Sequence, residues 1–96
     1  MRFEWDEAKN RRNGIKHKIS FETAQLVFDD PNVLSLRDCV VDAEERWWSL
    51  GMIGGVIVVL VAHTYRGADS EEVIRIISAR KATPRERRWY EKGAQQ

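Results

Sequence analysis

The sequence predicts a small α+β domain, with two N-terminal helices, an antiparallel sheet of about four strands and a C-terminal helix. Three observations carry this. Apolar residues recur at helical spacing near 21–28, strand-type alternation and a continuous apolar run fill 32–80, and a capping signature opens a charged helix at 83. At 96 residues and 43% hydrophobic content, the chain is expected to be a single domain, 1–96.

Asp6 is a favoured N-cap, and "EAKNRRN" runs from it to Gly14, a residue type common just past a helix end. This first helix is polar nearly all round and is expected on the surface. Ser20 caps a second helix, in which Phe21, Ala24, Val27 and Phe28 form a buried face and Asp30-Pro31 ends the run. Strands follow at 32–41 and 45–53. Gly54-Gly55 suits a two-residue hairpin turn. The run "VIVVLVAHTY" (56–65) is apolar on both faces and reads as a central strand, 66–71 as a loop, and 72–80 as the fourth strand. Simple alternation in that strand puts Ile74, Ile76, Ser78 and Arg80 on one face and Val73, Arg75, Ile77 and Ala79 on the other, so each face is expected to carry an arginine. In the final helix, 83–92, Thr83 is the N-cap, Pro84 the first helical residue and Glu86 the return half of a capping box.

The net charge of +1 hides an asymmetry: residues 1–19 carry six basic and three acidic groups, 20–50 two and seven, 51–74 one and three, and 75–96 seven and two. If the basic ends meet, they form a patch suited to phosphate; otherwise the charges are dispersed and pair with the acidic middle. The single cysteine, Cys39, cannot form an internal disulfide, which suits a reducing cytoplasm. The start "MRFEWDEAKNRR" has no signal-peptide core, and "VIVVLVA" (56–62) is too short to cross a bilayer, so a cytoplasmic protein with no membrane role is expected. Zinc-ligand spacing, Gly-rich phosphate loops and Ser or Cys nucleophile motifs are absent. The acidic residues Asp29, Asp30, Asp38, Asp42, Glu44 and Glu45 lack the spacing of a metal loop, so no metal site and no cofactor is expected.

Two basic sets stand out. Arg80 precedes the last helix, where Arg85 and Arg88 share one side and Glu86 and Tyr90 another, with Lys81 beside them. A guanidinium holds two phosphate oxygens in one plane, although the same residues also fit a solvated helix face. The capping box already accounts for Glu86. In the first helix Lys9, Arg12 and Lys16 recur at helical spacing and His17 follows them. Histidine is a residue type suited to general acid–base work, and at a helix C-terminus it also fits as a cation facing the dipole. His63, inside the apolar run, reads as a hydrogen-bonded core residue. Trp5, Trp47, Trp48 and Trp89 read mostly as core or partner-facing residues, with Trp47 and Trp48 on opposite faces of one strand.

Trp5, Asp6, Lys9, Asn13, Lys16 and His17, in the pattern W-D-x-x-K-x-x-x-N-x-x-K-H, followed by "SFETA" (20–24), resemble the first half of BrnT-type toxins. "VFDDP", "EERWWSLGMIGG" and "IRIISARKATPRERRWYE" resemble the rest, in order over almost the whole chain. Glu7 stands where that family commonly has proline, and Lys18 where it commonly has glycine. The resemblance implies a bacterial type II toxin with a RelE-like fold that cuts RNA, free or ribosome-associated, and slows translation. It implies a BrnA-type antitoxin that binds and blocks the toxin and reaches operator DNA through a ribbon-helix-helix region.

On this reading the chain is a metal-independent endoribonuclease acting through the RNA 2′-hydroxyl. Arg80, Arg88 and Lys9 are expected to stabilise charge, and His17 to move the proton with Tyr90 or Glu86 as second member. Arg12, Lys16, Lys81 and Arg85 are expected to hold RNA. The alternatives are a non-catalytic module that binds nucleic acid or protein through the same patch, and a Mg²⁺-dependent nuclease using the acidic middle.

Overall fold

In the computed structural model, which describes residues 1–67 and 72–93, five strands form one mixed sheet in the order β1-β5-β4-β3-β2. The elements are β1 (Arg2–Glu4), α1 (Glu7–His17), α2 (Phe21–Ala24) running into a 3₁₀ turn (Gln25–Asp29), β2 (Leu34–Val41), β3 (Glu44–Ile53), β4 (Ile57–Arg66), β5 (Val73–Lys81) and α3 (Pro84–Gly93). The four expected strands, the central place of the apolar run and the capping box are all present. Glu86 N–H donates to Thr83 Oγ1 at 3.2 Å and Thr83 N–H to Glu86 Oε1 at 2.9 Å. Of the expected loop 66–71, Arg66 closes β4, and 68–71 lie outside the described residues.

The sheet is not all antiparallel. β1 pairs parallel with β5, Arg2 opposite Val73 and Glu4 opposite Arg75. Three residues are too few to show a period, and the pairing depends on a crossover spanning most of the chain. The first helix also runs further than Gly14. It continues to His17 and reverses at Lys18, whose φ is 62° and whose N–H closes on Gly14 C=O at 3.0 Å. A glycine marks a helix end by offering the left-handed conformation, but here Lys18 adopts it and Gly14 sits inside the helix.

Strand parity is corrected by a bulge. His63 pairs with Ile76 and Ala62 with Ser78, so Ile77 has no opposite residue. Beyond it the alternation shifts by one. Ile74, Ile76 and Ala79 share the first face with Phe21, Ala24 and Val27 of the helical layer. Arg75, Ser78 and Arg80 all lie on the second face, so the two arginines expected on opposite faces share one. On that face Tyr90 of α3 packs with Leu50 and Val58.

Polar contacts join the layers. Asn10 and Asn13 are the buried residues of α1. Asn10 Oδ1 accepts from Phe21 N–H at 2.8 Å, and its Nδ2 donates to Glu7 and Glu22. Asn13 Nδ2 donates to Ala79 C=O at 2.8 Å and to Ile19 C=O at 2.9 Å, and its Oδ1 accepts from Ala79 N–H at 3.1 Å. Asn13 thus treats β5 as a neighbouring strand would. Asp30 accepts from Met52 N–H, Asn32 N–H and the Tyr90 hydroxyl, linking the end of the 3₁₀ turn, β3 and α3. Burial works against its charge, yet these donors hold the carboxyl below its ordinary range. At Gly51 a Cβ would lie 2.6 Å from Val27 Cγ1 and 2.8 Å from Val27 O, so only glycine lets the 3₁₀ turn rest on β3 here.

His63 is the core residue its context implied. It is fully buried, its Nε2 is 2.7 Å from Ser49 Oγ, and Ser49 Oγ is 2.7 Å from Ser35 Oγ. Burial drives its pKa from 6.5 down to about 4. Among the described residues, no helix is long and apolar enough to cross a membrane.

Two outcomes follow from these contacts. Asn13→Ala leaves the Ala79 N–H and C=O and the Ile19 C=O unpaired, and is expected to lower the stability by ~3 kcal/mol in equilibrium denaturation. A loss below ~1 kcal/mol refutes the clamp. For His63 the folded value lies below the unfolded one, so the unfolded chain takes the proton first. The stability it allows above pH 6.5 is lost as pH falls towards 4, by about 3 kcal/mol in all. Between pH 6.5 and 5 the denaturant midpoint should fall for the parent and stay nearly level for His63→Gln.

Candidate functional site

The second face of the sheet is only partly covered by α3. Beside it runs a groove of 440 Å³ whose lining includes Arg46, Trp48, Leu60, Arg80, Glu86 and Trp89. Arg80 arrives there because the Ile77 bulge turns it to this face, and Glu86 because the capping box fixes the first turn of α3. The two meet as a fork on a fork, Nη1 to Oε1 at 2.8 Å and Nη2 to Oε2 at 2.9 Å, while Arg80 Nη1 also donates to Lys81 C=O at 3.2 Å. The Arg80 hydrogen bonds hold the Glu86 carboxyl below its ordinary range, and the same pair raises the pKa of Arg80 further. Glu86 is therefore a fixed anion that aims Arg80, whose side chain is still 39% exposed.

A second groove, of 330 Å³, is lined by Lys9, Arg12, Asn13, Lys16, His17, Ile77 and Ser78. The spacing of Lys9, Arg12 and Lys16 sets them on one side of α1, and the Asn13 clamp turns that side towards β5. His17 is the last residue of α1, half-buried, immediately before the left-handed Lys18.

The two grooves flank β5. Arg80 lines the first and Ser78 the second, two residues apart on one strand face, so their Cα atoms are about 6.7 Å apart. The two grooves share no lining residue, and the basic sets flank one strand segment. Lys9, Arg12, Lys16 and His17 lie on one side of this strand segment, and Arg80 with Glu86 on the other.

The remaining expected residues lie apart. Tyr90 is buried against Leu50 and Val58 with its hydroxyl bonded to Asp30; burial and then the Asp30 carboxylate push its pKa up to about 12. Arg88 is exposed and two residues before Tyr90, so it points roughly 160° away from it around the helix. Lys81 is exposed at the end of β5, opposite Val59 on the first face. Arg85 is exposed, its guanidinium 5.4 Å over the Trp89 ring. Among the described residues, no three His, Cys, Asp or Glu side chains are grouped to hold a metal ion.

Arg46 is the residue the sequence reading passed over. It lines the groove of Arg80, its Nε is buried without a partner, and it makes no hydrogen bond or ion pair among the described residues. The signal was available: counting from the Gly54-Gly55 turn, Arg46, Trp48 and Leu50 fall on one face with Leu60, which pairs with Arg80.

Residues 5–86 match the family model described as the ribonuclease toxin BrnT of type II toxin–antitoxin systems. Among solved structures, the 1.1 Å crystal structure of the Brucella abortus ribonuclease toxin BrnT superposes with a TM-score of 0.60 at 24% identity, covering 86% of this chain and 97% of that one. At this identity the likeness speaks for a shared fold. No curated protein sequence matches.

Lys18 provides a test of the geometry beside His17. Replacing it with glycine relieves a left-handed residue that costs ~1–2 kcal/mol, offset in part by the greater freedom of an unfolded glycine. Lys18→Gly is expected to raise stability by about 0.5–1 kcal/mol in denaturant titration, and a loss of stability contradicts the strain.

Proposed function

Because the chain belongs to the BrnT family of ribonuclease toxins from type II toxin–antitoxin systems, we propose that it is a metal-independent endoribonuclease that cuts RNA by attack of the 2′-hydroxyl on the neighbouring phosphodiester. The observation that supports this is that the α1 row and Arg80 line grooves that flank residues 78–80 of β5. RNA brings its own nucleophile, so the protein supplies a proton acceptor and positive charge where the phosphorus gains electron density.

In this reading His17 takes the 2′ proton as the 2′ oxygen bonds to phosphorus. Arg80, aimed by Glu86, and Lys9 stabilise the added charge, and Arg12, Lys16 and Arg46 hold flanking phosphates. The bond from phosphorus to the 5′ oxygen breaks, that oxygen takes a proton from water, and the products are a 2′,3′-cyclic phosphate and a 5′-hydroxyl. Glu86 acts as the orienting anion rather than as an acid. Tyr90 has no part in proton transfer, because its hydroxyl is committed to Asp30. Arg88, Arg85 and Lys81 are peripheral RNA contacts.

The same reading gives the protein a BrnA-type antitoxin as its cytoplasmic partner, with operator DNA contacted through the antitoxin and translation slowed when the toxin is released. Edge strand β2 exposes Leu36, Val40 and Val41, at 43%, 60% and 37%, which supports a protein partner over this side.

The test is incubation in EDTA with a structured RNA and its 2′-O-methylated copy, with and without ribosomes. Cleavage of the unmodified RNA alone, leaving 2′,3′-cyclic ends, is expected. Arg80→Ala should lower the rate by about a hundredfold, ~3 kcal/mol, and Arg80→Lys should recover little because lysine lacks the fork. Cleavage abolished by EDTA points to the metal-dependent reading, and RNA binding without cleavage in either setting points to a binding module.

A further inference from the structure

The groove of Arg80 has an aromatic wall that phosphate chemistry leaves unexplained. Trp89 is 41% exposed on a helix whose core position is taken by Tyr90. Its ring lies 6.1 Å from that of Trp48, nearly parallel at 27°, so the two rings stack on one another and Trp89 is the exposed member. Arg46 and Arg80 line the same groove. Trp89 is three residues after Glu86 on α3, so the two side chains are neighbours, and Glu86 is bonded to Arg80. The aromatic wall therefore stands one side chain away from a guanidinium aimed for phosphate, which is the relation of a base to its own phosphate in a nucleotide.

We propose that Trp89, backed by Trp48, forms a nucleobase-stacking subsite, in which one unpaired base of the RNA takes the place of the Arg85 guanidinium over the exposed ring while its phosphate reaches Arg80 and Arg46. This rests on the ribonuclease reading and adds to it the demand that the substrate be locally single-stranded, since a paired base cannot turn its face to a protein ring. An apolar peptide would also fill such a wall. The base is favoured because Arg46 makes no bond of its own here and Arg85 already lies over Trp89 as a planar cation lies over an aromatic stack.

The experiment is a pair of binding measurements with uncleavable ligands, a 2′-O-methyl hexanucleotide and an abasic 2′-O-methyl hexamer of equal charge, read by anisotropy and tryptophan emission. Wild type is expected to bind the base-bearing oligomer about 10-fold more tightly, with quenched emission. Trp89→Ala should bind both equally, and Trp89→Phe should restore part of the difference. A preference that survives in Trp89→Ala, or no preference in wild type, overturns the subsite. Loss of antitoxin binding in Trp89→Ala with the base preference intact assigns the wall to the protein partner and likewise overturns it. Wild type that shows no base preference yet cleaves RNA leaves the ribonuclease reading standing. Wild type that neither binds nor cleaves RNA, with or without ribosomes, defeats both.

Discussion

The structure depends on one amide side chain. β1 covers only residues 73–75 of β5, and past that point the strand edge would face α1 with its N–H and C=O unmatched. Asn13 matches both at Ala79 and, with the same Nδ2, ties down Ile19 C=O. A polar helix with almost no apolar face is thereby fixed in position and rotation. Asn10, one turn earlier, takes the first N–H of α2 and so fixes the second helix as well. Hydrogen bonding rather than apolar burial sets where Lys9, Arg12, Lys16 and His17 lie.

The second face of the sheet is built on arginines, three of which carry their own carboxylates: Arg75 with Glu4 at 2.8 Å, Arg66 with Glu44 at 3.2 Å, and Arg80 with Glu86 at 2.8 Å. Pairs this exposed contribute little to stability, and their effect is to hold planar groups in one orientation. Arg80–Glu86 has the best geometry of the three, and its carboxylate is the most covered, 14% exposed. Arg46 has no such partner among the described residues.

Much of this was legible because it is local. The buried face of α2, the apolar β4 run, the hairpin glycines (in a turn of three residues, 54–56, rather than the expected two) and the capping box each announce themselves within a few residues, and the family resemblance agrees with the family match. What escaped is non-local or hidden by alternation. β1 is too short to have a period. The extra residue at Ile77 leaves no mark in a run of alternating apolar and polar side chains, yet it decides which face Arg80 occupies. Gly14 gave a false end to α1 because a lysine took the left-handed position. Tyr90 looked like a site residue from its neighbours in sequence, but it is turned into the core by the same rotation that sends Arg88 to solvent. Arg46 needed the register of two hairpins to be seen beside Arg80.

The way α3 is attached has its own consequence. It is held by the Tyr90–Asp30 bond, by Tyr90 packing on Leu50 and Val58, and by the Arg80–Glu86 fork, so it is a small cooperative unit resting on a much larger one. Glu86 and Trp89 reach the groove only while that unit is docked. A ligand that spans α3 and the sheet therefore stabilises the docked helix by mass action. Whatever loosens the last helix thus also dismantles the groove, so the attachment of α3 and the shape of the groove are one property of the fold.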